Sequence, residues 1–174
     1  FTDCSSLTEF VIPESVSTMY DFTFSGCDSL KTIVVKAPLD ALYDRDFFCE
    51  NLEVIQIPDS VTSIGDGVFT ECSSLASIEI PDSVTSIGAG AFNGCSSLTA
   101  IAIPNCVTSV GNSAFGGCSG LTSIELPTGL TSIGNNMFTR CSSLASIDIP
   151  DGVTSIGGYA FSGCSGLTSM KIPE

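Results

Sequence analysis

Apolar residues return along this chain in a fixed order. Between Cys72 and Gly94 they stand at Leu75, Ile78, Ile80, Val84, Ile87, Ala91 and Phe92, separated mainly by Ser, Thr, Asp and Glu. Ile78 and Ile80 alternate with Ser77 and Glu79, the two-residue period of a strand with one buried face. Pro81 has no N–H to continue a ladder and ends that strand. Val84 and Ile87 predict a return path that points back inward. Gly88 is expected to turn with positive φ, and Ala91-Phe92 to close the coil.

The same order recurs with a period of 23 residues. Cys4, Cys27, Cys49, Cys72, Cys95, Cys118, Cys141 and Cys164 form one column, with a single step of 22 between Cys27 and Cys49. Leu follows three places after each Cys, and Phe24, Phe47, Phe69, Phe92, Phe115, Phe138 and Phe161 form a column before it. One such unit buries too little to fold, so the columns predict stacked coils with a continuous core. Successive units then pair short parallel strands about 4.8 Å apart.

The motifs LxxIxIP, VTSIG, AF and a following C, as in Leu98–Pro104, Val107–Gly111, Ala114-Phe115 and Cys118, resemble the leucine-rich repeat family in its BspA-like, treponemal-type class. The resemblance covers essentially the whole chain. It implies an α/β-class repeat solenoid with little helix: a right-handed coil stack of about seven and a half repeats, with a parallel sheet on the concave face. It also implies a surface or secreted protein, because family members look like adhesins and host-protein binders. Residues 1–174 then form a single leucine-rich repeat domain. Neither end carries the polar capping unit that a solenoid needs, so the expectation is a fragment of a longer surface protein or ends that pair with another copy.

The second unit departs from the pattern. Lys36 stands where Pro belongs and Pro38 is shifted, Tyr20 and Tyr43 replace the turn Gly in the first two coils, and Asp44–Cys49 has lost one residue of the period. A binding bulge and simple drift in a tolerant coil both account for this; drift is the favoured reading.

Composition narrows the chemistry. There is no His, so Ser–His–Asp, Cys–His and imidazole-metal sites are excluded. A formal charge of −14 disfavours a nucleic-acid partner. No apolar run approaches the ~18 residues of a membrane span. The nine cysteines contain no CxxC pair, and eight fall in one register column whose parallel Cα–Cβ vectors do not suit disulfides. They are expected to pack as small hydrophobes. Cys106 stands outside the column, where other units have Ser60 and Ser83; it is a candidate for pairing between molecules, with accidental substitution the favoured reading. The ladder from Thr62-Ser63 to Thr154-Ser155 is read as structural rather than ice-binding.

The candidate binding face comprises the outward strand positions and the residue after each Pro. Its core is Ser77, Glu79, Asp82, Ser123, Glu125, Ser146, Asp148 and Asp151, a small, polar and acidic stripe. Such a stripe accepts a basic protein segment or a glycan, or merely keeps a repetitive sheet soluble. One carboxylate per coil does not assemble the six to eight oxygens that calcium takes, and no repeated pair stands out as a glycosidase dyad. No cofactor or metal is implied. The leading expectation is a non-enzymatic, adhesin-like protein-binding module. The competing one is a structural spacer, favoured by the uniformity of units three to seven.

Overall fold

The computed structural model describes residues 1–19, 23–43, 47 and 49–172. The features expected at Tyr20, at the Asp44–Cys49 contraction (Asp44, Arg45, Asp46 and Phe48) and at the final Glu174 lie outside the described residues. Within them the chain is a parallel-strand solenoid of about seven turns with no helix. Its strands, in chain order, are β1 (Glu9–Ile12), β2 (Thr32–Val35), β3 (Ala41–Leu42), β4 (Val54–Gln56), β5 (Ser63–Ile64), β6 (Ser86–Ile87), β7 (Ala100–Ala102), β8 (Ser109–Val110), β9 (Ser123–Glu125), β10 (Ser132–Ile133), β11 (Ser146–Asp148), β12 (Ser155–Ile156) and β13 (Ser169–Lys171).

The strands fall into two columns, because each unit has two stretches that alternate inward and outward. The first stretch gives the longer strands, paired β1-β2-β4, β7-β9 and β11-β13. The second, on the return path, gives two-residue strands paired β3-β5-β6-β8 and β10-β12. All pairs are parallel and in repeat register, as Ile101 opposite Ile124 and Ile64 opposite Ile87 show. Coil two gains from its irregularity: Lys36, standing in the Pro position, donates its N–H to Ile12 at 2.9 Å. A proline there has no N–H to give.

The expected strand is missing in coil four. Ser77–Glu79 joins no ladder, although its sequence matches Ser123–Glu125 closely.

The core is a set of columns that run along the solenoid axis. Phe24 through Phe138 are fully buried and stack ring on ring, with centroids 5.3–5.9 Å apart and planes within 1–19°. Phe1 extends the stack at one end and Phe161 at the other. These rings are equivalent groups in successive coils, so their spacing measures the coil separation on their side. It exceeds the 4.7–4.9 Å of paired strands. The stack therefore splays on the Phe side and the longer strands line the inner, concave side.

The Cys column lies against the Phe column as expected, and it does more than fill space. The Sγ–H of each buried cysteine donates to the carbonyl of the Phe in the preceding coil: Cys72 to Phe47 at 2.8 Å, Cys95 to Phe69 at 3.2 Å, Cys118 to Phe92 at 3.1 Å and Cys141 to Phe115 at 3.1 Å. The same carbonyl also accepts the N–H of the Cys in its own coil, as Phe69 does from Cys72 at 3.2 Å. Both lone pairs of a buried carbonyl are thereby used. Alanine would fill most of the volume but could not donate. All nine cysteines are free thiols.

Gly88 corrects the reading made from sequence. It does not have positive φ. It is glycine because a Cβ there would stand 2.5 Å from the Gly65 carbonyl carbon and 2.6 Å from the Asp66 nitrogen. Gly111 is crowded in the same way by Ala89, at 2.4 Å from its nitrogen. The glycine of VTSIG is thus a close-approach position, where one coil's backbone rests on the next.

Positive φ occurs two and six residues later. One column is Gly67, Gly90, Ser113, Asn136 and Tyr159; the other is Asp3, Gly26, Glu71, Gly94, Gly117, Arg140 and Gly163. Each pair brackets the Phe-containing segment and turns its peptide planes over. Between them N–H groups donate forward to the next coil, as Phe69 to Ala91 at 2.8 Å, whereas Gly88 donates backward to Ile64 at 2.8 Å. The Thr ladder seals the return path. Thr62, Thr85 and Thr154 donate Oγ1–H to carbonyls of the preceding coil at 2.9–3.3 Å.

Candidate functional site

The concave face is built by strand alternation. In β9, Ile124 turns into the core while Ser123 and Glu125 face out; in β11, Ile147 turns in while Ser146 and Asp148 face out. Ladder register within β7-β9 and β11-β13, and the 23-residue repeat elsewhere, group the outward residues into rows. Ala100, Ser123 and the equivalent Ser77, Ser146 and Ser169 form one row, and Ala102, Glu125, Glu79, Asp148 and Lys171 the next. All eight residues singled out from sequence are exposed: Ser77, Glu79, Asp82, Ser123, Glu125, Ser146, Asp148 and Asp151.

These residues do not converge on one point. Glu79 and Asp82 come together with Gln56 and Asp59 around a cleft of about 520 Å³ between coils three and four. They also border a second cleft, of about 270 Å³ between coils four and five, with Ala102 and Asn105. Glu125 and the Ser146–Asp148 row lie further along the axis, and Asp148 sits opposite Lys171 across β11-β13. Glu79, Glu125 and Asp148 form no ion pair among the described residues; the ion pair found there joins Lys31 to Glu53 at 2.7 Å. Among the described residues no group of three His, Cys, Asp or Glu is placed to hold a metal ion.

Val11 and Val54 also stand outward on this face and are about half exposed. They give its first coils an apolar strip that the acidic coils lack. Both occupy outward positions of the two-residue strand alternation. The clefts around coil four were not visible from sequence, because they arise where a strand fails to pair.

The cysteines are divided by environment. Burial pushes the Cys49, Cys72 and Cys141 thiols up to about 12 from an ordinary 9.0, and neighbouring column thiols add to it for Cys49 and Cys141. Cys95 and Cys118 are also raised well above the ordinary value, again mainly by burial. Such thiols are inert as nucleophiles near neutral pH. Cys4 and Cys106 are exposed.

The family model described as BspA type leucine rich repeat region (6 copies) matches residues 1–99 and 85–174. A leucine-rich repeat protein from Bacteroides ovatus is similar at 33% identity and a TM-score of 0.90, over 95% of this chain and 46% of its own. The Treponema pallidum leucine rich repeat protein is 28% identical with a TM-score of 0.81, over 94% of this chain and 79% of its own. A leucine rich cell surface protein from Faecalibacterium prausnitzii is 31% identical with a TM-score of 0.62, over 97% of this chain and 54% of its own. The chain thus spans about half the length of the Bacteroides protein. Comparison with curated proteins gave no match.

Proposed function

The chain belongs to the BspA-type leucine-rich repeat family, and on that premise we propose that it is a non-enzymatic protein-binding module of a cell-surface or secreted protein. The observation that carries this reading is the concave face. Exposed carboxylates at Glu79, Asp82 and Glu125, in no ion pair among the described residues, recur coil after coil along one face. A surface of this kind selects partners by complementary charge and speeds their encounter. The partner that fits is a protein presenting Lys and Arg, of host or extracellular-matrix origin; an acidic glycan would be repelled. The surface assignment is supported by the Faecalibacterium relative, whose description is that of a cell surface protein. The 174 residues would act as one repeat domain of a longer surface protein.

The test is a pull-down from extracellular matrix, mucus and neighbouring cells. The chain is run beside a Glu79→Lys, Glu125→Lys, Asp148→Lys variant. The three sites are exposed, so the variant is expected to fold with stability within about 0.5 kcal/mol per site. The unmodified chain should retain a saturable partner that is released by salt, and the variant should not. Equal retention by both would refute the concave-face reading. The absence of any partner would favour a spacer, which should also tolerate removal of one whole unit, Cys95–Gly117.

A further inference from the structure

Coil four differs from its neighbours on one side only. In a parallel ladder alternate residues of a strand bond to its two neighbours. A strand unpaired on both sides therefore keeps none of its ladder bonds. Ser77–Ile80 is in that state: it forms no ladder with β4 on one side or β7 on the other, and no backbone hydrogen bond joins Ile78, Glu79 or Ile80 to either coil. Ile78 is only half-buried, whereas its equivalents Ile55, Ile101, Ile124 and Ile147 are buried in the core. The clefts of about 520 and 270 Å³ open along the two edges of this segment.

The opposite side of the same coil is fully joined. Ser86 and Ile87 pair with β5 before them and β8 after them. Phe69 and Glu71 donate to Ala91 and Asn93 at 2.8 and 2.7 Å, and Phe92 and Gly94 donate to Ala114 and Gly116, both at 2.8 Å. The Phe69, Phe92 and Phe115 rings stay stacked at 5.3 and 5.5 Å.

We infer that coil four is a hinge of the solenoid. The return path and Phe column form its axis, and the concave face opens and closes around Ser77–Ile80. Bending there costs no ladder hydrogen bonds, because none are made, and it widens or narrows the clefts that hold Glu79 and Asp82. The curvature of the concave face is then adjustable in the middle of the array, where a uniform stack would be stiffest.

Two measurements test this on the intact chain. The first is amide hydrogen exchange. Fraying from the ends of a repeat array predicts slower exchange in coil four than in coil two. The hinge predicts the reverse: Ser77–Ile80 should exchange about 100-fold faster than Thr32–Val35, which is laddered on both sides from Thr32 to Val34. The second is a spin-label distance distribution between Val54→Cys and Ala100→Cys, which span coil four. The reference is the pair Glu9→Cys and Val54→Cys, which span the laddered coil two; both pairs are placed in a Cys4→Ser, Cys106→Ser background. The Val54–Ala100 distribution should be the broader. Protection of Ser77–Ile80 equal to that of Thr32–Val35 would overturn the hinge. So would equal widths for the two spin-label pairs, whatever the exchange rates.

Discussion

Raising the pH from 9 to about 12 is expected to unfold the domain cooperatively, through its buried thiols rather than its surface. Cys49, Cys72, Cys95, Cys118 and Cys141 are acids whose folded pKa lies above the unfolded value, because burial penalises the thiolate. Above pH 9 the unfolded chain releases these protons and the folded chain keeps them. Folding stability is therefore intact below the ordinary value of 9.0 and is lost as pH climbs toward the folded values. Each thiol contributes a slope of about 1.4 kcal/mol per pH unit. Five together approach about 7 kcal/mol per unit, against a typical total stability of about 5–15 kcal/mol. The expected midpoint lies near pH 10–11, about one to two units above the onset. Circular dichroism should fall in step with the rise of thiolate absorbance. Cys72→Ala, Cys95→Ala and Cys118→Ala together should cut the slope by about three-fifths even while lowering stability at neutral pH. An unchanged slope would show that general charge repulsion, not the column, drives the transition.

Phe115→Ala is expected to cost about 3–5 kcal/mol, the range for an aromatic truncated in a packed core. Phe115 is fully buried between Phe92 at 5.5 Å and Phe138 at 5.7 Å. Its carbonyl and its ring both tie adjacent coils together, so the vacancy falls at a coil junction. Stability in a linear array is roughly a sum of unit and nearest-neighbour terms. A weakened junction near the middle should therefore split the denaturant transition in two, with the halves on either side melting apart. Phe161 supplies the comparison. It is only partly buried, and within the column it stacks on Phe138 alone. Phe161→Ala should cost about half as much and leave a single transition. Equal losses at the two sites would mean that the column does not couple the coils.

How far the sequence disclosed this structure depends on where each residue's partner lies. The Phe, Leu and Cys columns were legible because a 23-residue period repeats the same burial at every turn. The outward acidic row was legible because strand alternation fixes which face Glu125 and Asp148 take once Ile124 and Ile147 are placed inside. Features set between coils were hidden. A glycine in sequence does not say whether it serves φ or close approach, and Gly88 turned out to serve the second. The true left-handed columns were masked because Ser113, Asn136, Glu71 and Arg140 occupy some of their positions, so no invariant glycine marked them. The Sγ–H donation from Cys95 to Phe69 crosses to the preceding coil, which a reading within one unit cannot reach. The unpaired Ser77–Ile80 segment was likewise invisible, since its own residues match those of coils that do pair.

The central functional claim is that partners dock on the concave strand face, and site-specific photo-cross-linking tests it most directly. A benzophenone side chain replaces Ala102, exposed beside the coil-four clefts, or Thr131, exposed on the return path. Each variant is irradiated with the partner retained in the pull-down. The account predicts a cross-linked product from Ala102, lost in high salt, and none from Thr131. Cross-linking from Thr131 with none from Ala102 would place the partner on the wrong side of the solenoid and contradict it.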